Sequence, residues 1–312
     1  MSIIDTLGAG FRFVSRRLWL AVLPLVLDLY LWLGPKLSMR PVIAQMVEFL
    51  REMSEANASE VVGSGDAQAM TEMLMDMLQE TLGNINLFAL LAWGRLGVPS
   101  VAGISVIGED ARWVVELSTY WQVLLAQLVL LGIGLLIACV YLGLIASAVR
   151  GDEQHPTMAL HRVPTHWLRL VAVFIPLSAM LAFAISFGMI LGPLSIFIGV
   201  GLLWILLFIT FVPQAIVLAD QRPLVALWSS VAIVRSFFWP TLGIILLVNV
   251  ISSGLGLIWN QLLLGTMVGT AIALLANAFV GTGLTVSLFL FFRDRIMLLR
   301  ESLEQQRRQG TS

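Results

Sequence analysis

Charge is scarce in this chain. Of its 312 residues only 12% are Asp, Glu, Lys or Arg, against 59% hydrophobic, and the mean hydropathy is +0.93. A soluble domain carries about a quarter charged residues to cover its surface. A single aqueous globule is therefore excluded, and lipid is the solvent that suits the composition. Cysteine is scarcer still: Cys139 stands alone in an apolar run, which excludes an intrachain disulfide. Histidine is confined to His155, His161 and His166, all outside the apolar runs, so none can ligate an intramembrane haem or chlorophyll-type pigment. Their spacings of six and five do not fit a helical metal pair, and Pro156 and Pro164 interrupt them, so a solvated loop is expected. HExxH, Walker and Ser-His-Asp patterns are missing. Asp152, Glu153 and the histidines form the one polar cluster near a membrane surface, too thin for an enzyme site. No cofactor, no metal and no nucleic acid is expected, the last because no basic stripe lies outside the membrane flanks.

Apolar length is abundant. A crossing helix needs about 20 mostly apolar residues, and six segments qualify: about 18–35, 120–149, 168–191, 194–218, 240–264 and 267–292. Arg12, Arg16 and Arg17 precede the first, but no small-residue cleavage site ends it before Lys36, so it reads as an uncleaved span rather than a signal peptide. Lys and Arg resist translocation and accumulate on the cytoplasmic side. With six spans, thirteen of the eighteen basic residues fall on one face, including the basic tail 293–312. The other five lie in segment 36–116, which also carries eleven acidic residues and a net charge of −6. The expected architecture is an all-α, six-span transmembrane bundle with both termini cytoplasmic. Asn84–Ile107 is the apolar stretch that competes with this count. Arg95, Pro99 and its glycines disfavour a crossing, so it is expected to be an interfacial or re-entrant part of the external loop.

That loop has its own pattern. Val42, Ile43, Met46, Val47, Phe49, Leu50 and Met53 form a helical stripe over Pro41–Ala56, with Pro41 in the first turn. A second helix is expected over Asp66–Leu82, with Asp66 as N-cap, Gly83 as stop, and a stripe of Met70, Met73, Leu74, Met77 and Leu78. Thioethers suit Cu(I), but the stripe spacing assigns these methionines to packing, against the bundle or a protein partner. Met70, Met73, Met77 and Phe49 are the candidate docking residues.

Asp28 is the one ionisable side chain within a span, and such groups are costly and often functional. It can pair with a cation, relay protons or accept hydrogen bonds from a neighbouring helix; alternatively it lies near the outer interface beside Lys36 or Arg40. Gln127, Ser178, Asn249, Asn277 and Thr210 add neutral polar groups, which commonly join helices. The Gly-x-Gly pairs at 132/134, 199/201, 254/256 and 281/283 are expected to admit close helix approach, and they open no phosphate loop. Trp19, Trp167 and Trp239 each precede a polar residue by nine to eleven positions (Asp28, Ser178, Asn249). This spacing suggests three related hairpins meeting at a polar midplane.

Residues 211–239, FVPQAIVLADQRPLVALWSSVAIVRSFFW, end one span near Pro213, place Asp220 after it, and start a short helix at Pro223 that leads to Trp239. This stretch resembles a loose group of bacterial six-span proteins that includes the membrane domain of some glycerophosphoryl diester phosphodiesterases. The resemblance implies architecture more than activity, and the external insertion at 36–116 departs from it. The functional expectation is a non-enzymatic membrane protein that scaffolds or assists a complex through its external helices. A small-solute or ion transporter using Asp28 and the midplane asparagines is the alternative.

Overall fold

The computed structural model describes residues 2–58, 72–73, 75–77, 79–80, 82–92, 97–101, 113–151, 156–191, 195–263 and 266–309. Helix dominates. The chain opens with α1 (Ile3–Ser15), started by a reciprocal cap in which Asp5 N–H donates to Ser2 Oγ at 3.2 Å and Ser2 N–H to Asp5 Oδ2 at 3.3 Å. Thr6, Leu7, Gly10 and Val14 form its buried face. The span expected at 18–35 is a 3-10 turn (Leu18–Ala21) followed by α2 (Val22–Leu33). Gly34 ends α2, and Lys36 folds its ammonium back onto the carbonyls of Leu31 and Trp32.

The chain then enters the insertion. β1 (Lys36–Ser38) pairs in parallel with β2 (Val114–Glu116), Leu37 opposite Val115, so the ladder clasps the two ends of the insertion. A parallel pair requires a long crossover, which residues 39–113 supply; this small sheet is absent from the all-α expectation. Helix α3 (Arg40–Ala58) follows β1. Val42, Ile43 and Val47 are its buried residues, and Ile43 and Val47 pack with Met75. Helical residues recur between 72 and 83. There Met75 faces inward, while Met73 and Met77 are 75% and 62% exposed; Met70, Leu74 and Leu78 of the expected stripe lie outside the described residues. Leu82 joins the Met75 cluster.

Among the described residues, five helical stretches are long and apolar enough to cross a membrane: Tyr120–Arg150, His161–Ala184, Ser195–Val217, Phe238–Leu263 and Met267–Ser302. They belong to α4 (Tyr120–Arg150), α5 (Pro156–Leu191), α6 (Ser195–Ile209) with α7 (Val212–Val217), α9 (Phe238–Leu263) and α10 (Met267–Gln309). Helix α8 (Pro223–Ser236) links α7 to α9. Gly151, at φ 84°, ends α4 in the left-handed region that lacks a penalty only for glycine. The segment carrying the histidines, expected as a solvated loop, is helical from Pro156 onward. Pro156 occupies the first position of α5, and the helix continues through Pro164, carrying His166 inward to 4% exposure.

The core gathers around α7, whose six residues are all buried between α4, α5, α8 and α10. Phe211 stacks on Phe291 at 5.6 Å. Helix α1 packs along α10, with Phe11 6.2 Å from Phe279.

Candidate functional site

The carboxylate expected to lie within a span is fully buried. Asp28, on α2, accepts hydrogen bonds from the Ser100 hydroxyl, from Val101 N–H at 3.3 Å and from Asn277 Nδ2 of α10 at 3.3 Å. Three parts of the chain thus converge on one side chain: α2, residues 100–101, and α10.

The described residues of 84–107 form a compact excursion rather than a crossing helix. Asn86 caps a 3-10 turn (Leu87–Leu91), accepting from Phe88 N–H at 3.2 Å, and also accepts from Leu37 N–H at 3.0 Å beside the ladder. Val98 N–H closes back on Ala92 O at 3.1 Å. Leu87, Leu91, Ala92, Val98 and Val101 are all buried.

Two glycines make room for this excursion. A Cβ on Gly134 would collide with the Leu90 carbonyl and sit 3.1 Å from Leu91 Cα, and one on Gly281 would collide with the Pro99 ring. Gly134 lies fourteen residues into α4 and Gly281 fourteen into α10. At 1.5 Å per residue the excursion touches both helices about 21 Å from their starts. Irregular backbone at such depth is tolerated only when buried in protein or facing a cavity, and here it is sealed by α2, α4 and α10.

The other expected residues do not join this node. Ser178 Oγ donates to Ile175 O at 2.8 Å and Asn249 Nδ2 to Ile245 O at 2.8 Å, each a carbonyl of its own helix. Gln127 is half-buried on α4. Of the three residues in the expected repeat, Ser178 and Asn249 bond to carbonyls of their own helices, while Asp28 bonds to Ser100, Val101 and Asn277. Among the described residues, Gly132, Gly199, Gly201, Gly254 and Gly256 have no atom within 4 Å of an added Cβ, whereas Gly134, Gly281 and Gly283 of the same pairs stand in close contact. Phe49, Met73 and Met77 are exposed on the insertion, and Met70 lies outside the described residues.

A second polar node, which the sequence did not reveal as one, holds the α7–α8 turn. Asp220 sits at φ 53°, and Arg169 Nη1 donates to its Oδ1 at 2.5 Å, its backbone carbonyl at 3.0 Å and Gln221 O at 3.3 Å. His166 Nε2 lies 3.2 Å from Oδ1, and Arg162 approaches Oδ2 at 3.8 Å. Partial burial pushes the Asp220 carboxyl up, but the Arg169 and His166 contacts outweigh it and hold its pKa below the usual value. Arg150 donates to Val217 O and Leu218 O at 3.1 and 3.0 Å, covering the last carbonyls of α7. Ser230 of α8 repairs the α6–α7 break, accepting from Phe211 N–H at 3.2 Å and donating to Phe208 O at 2.6 Å. The available signal was Asp220 itself, the one acid between 154 and 293; its partners are 51 to 58 residues away. Among the described residues no three His, Cys, Asp or Glu side chains gather as a metal site.

Comparison with known protein families, with curated proteins and with solved structures finds no match to this chain.

Proposed function

We propose that the chain is a multi-pass membrane protein of non-enzymatic type, a scaffold or accessory subunit that presents its external helices to a protein partner. The observation that carries this reading is the Asp28 node: the carboxylate holds the root of the insertion, through Ser100 and Val101, against α2 and α10. A rigidly rooted insertion offers a fixed surface, and Phe49, Met73 and Met77 stand exposed on it. Flexible thioethers suit contact with a partner.

Six crossings, with both termini in the bacterial cytoplasm, complete the proposal. The sixth is Leu18–Leu33, whose 3-10 turn and α2 together rise about 26 Å. That is close to the hydrocarbon thickness of about 30 Å, a mismatch that slight bilayer thinning absorbs. Residues 211–239, whose pattern resembles the six-span group, form α7, α8 and the start of α9, in keeping with this topology.

Photocrosslinkers at Phe49, Met73 and Met77 in native membranes test the docking surface. One stoichiometric protein adduct is expected, with a crosslinker at Leu203 giving lipid adducts only; lipid adducts at all four positions would refute it. Topology is tested on a Cys139→Ala background, where single cysteines at Asp5 and Ser302 should resist a membrane-impermeant maleimide that labels Gln45→Cys.

A transport role has one supporting observation, the Asp28–Asn277 hydrogen bond about 15 Å from the start of α10. Solute flux in proteoliposomes that is abolished by Asp28→Asn, with the fold intact, would favour it over scaffolding.

A further inference from the structure

We propose that α8 and the arginines at its two ends form a binding surface for anionic phospholipid headgroups. The inference rests on membrane embedding and is independent of any external partner.

Helix α8 is short, 14 residues, and its two faces differ sharply. Ala226, Ser230, Ile233 and Val234 are buried against the bundle. Leu224, Val225 and Trp228 face outward, at 72%, 51% and 74% exposure. An outward apolar face on a helix too short to cross belongs at the boundary between acyl chains and headgroups. Trp228 and the similarly exposed Trp239 at the start of α9 fit that level, where indoles combine an apolar ring with a polar N–H. The surface is continuous with the membrane-crossing part, since α8 passes into α9 through Phe237 alone.

Charge selects the headgroup. Arg222 and Arg235 are exposed at opposite ends of α8, about 20 Å apart, and Arg235 shares the outward stripe of Leu224 and Trp228. Helix α8 contains no Asp or Glu. The nearest acid in sequence, Asp220, is already engaged by Arg169, His166 and Arg162, so it leaves the end at Arg222 net positive. Cations at headgroup level attract anionic lipid over zwitterionic lipid, each contributing severalfold.

Nanodiscs containing phosphatidylcholine with a minor fraction of phosphatidylglycerol test the proposal, one lipid or the other being brominated. The Trp228 signal is isolated as the difference between the parent protein and Trp228→Phe. Brominated phosphatidylglycerol should quench Trp228 as if enriched about fivefold over its bulk fraction. In Arg222→Gln/Arg235→Gln the enrichment should fall to the bulk value, with quenching by brominated phosphatidylcholine retained. Both arginines are exposed, so thermal unfolding should be unchanged, and inorganic phosphate should not compete. Bulk-level quenching in the parent, enrichment that survives the double substitution, or displacement by phosphate would each overturn the proposal. Absence of quenching by either lipid would overturn it too, showing that protein or water covers this face.

Discussion

Asn277 of α10 donates to Asp28 of α2 across 3.3 Å, joining residues 249 positions apart at the point where the insertion is rooted. Replacing Asp28 by Ala leaves the Ser100 hydroxyl, the Val101 N–H and the Asn277 amide facing a buried site without this acceptor. Unmet buried donors cost about 1–3 kcal/mol each, less what relaxation recovers. Asp28→Ala should therefore destabilise by about 3 kcal/mol, and Asp28→Asn by less, because one acceptor oxygen remains. Thermal unfolding in detergent checks the order, and a cysteine at Val101 should gain maleimide reactivity in the Ala variant. Equal stability of all three proteins would mean that the node does not anchor the excursion.

Gly281 gives an independent handle on the same excursion, because an added methyl meets the rigid Pro99 ring. Gly281→Ala should cost about 1–3 kcal/mol, as overpacking does in a close-packed core. Gly254→Ala, where no atom lies within 4 Å of the added carbon, should be neutral or slightly stabilising. A pair of melting curves distinguishes these outcomes, and similar shifts for both would contradict the packing described here.

The sequence made the apolar helices legible because their signal is local: hydropathy and length are properties of consecutive residues. α3 was legible for the same reason, from its stripe at Val42, Ile43 and Val47 and the proline in its first turn. The second external helix was harder. Its methionines stand at 70, 73, 75 and 77, and Met75 lies off the stripe that the spacing marks, so its packing against Ile43 and Val47 has no local signal. α1 is hard to read from sequence although Ser2 and Asp5 carry a capping pattern, since its buried stripe includes Thr6 and Gly10 and is weakly apolar. Asp28 was legible as a cost without a partner. Ser100, Val101 and Asn277 are 72 to 249 residues distant, and no local pattern encodes such pairings. The Asp220 node was hidden for that reason, and because prolines at 156 and 164 pointed to a loop where α5 in fact begins.

Ser230 is a specific test of the α6–α7 break. Its hydroxyl serves Phe208 O and Phe211 N–H at once, both left over where the helix is interrupted, and it is fully buried. Ser230→Ala should cost about 2 kcal/mol through two unmet backbone groups. Ser230→Thr should recover part of the loss by restoring the hydroxyl. Hydrogen exchange at the Phe211 amide should accelerate in the Ala variant; unchanged exchange would show that the break is held by other contacts.

Asp220 links stability to pH with a definite sign. Its contacts with Arg169 and His166 hold the carboxyl below its usual value of about 4 despite partial burial. A carboxyl with a depressed folded pKa contributes stability that is present above the unfolded pKa and lost as pH falls through the folded pKa. Asp220→Asn should therefore lower stability at neutral pH and make no difference well below pH 4. The side chain is 48% exposed, so solvent screening keeps the neutral-pH contribution under about 1 kcal/mol. High salt should shrink it further, because the Arg162 contact at 3.8 Å is itself exposed. Unfolding of the two proteins from about pH 2 to pH 8 at low and high salt measures both effects. A stability difference that persisted unchanged at the acid end would show that Asp220 acts through the geometry of its turn, at φ 53°, rather than through its charge.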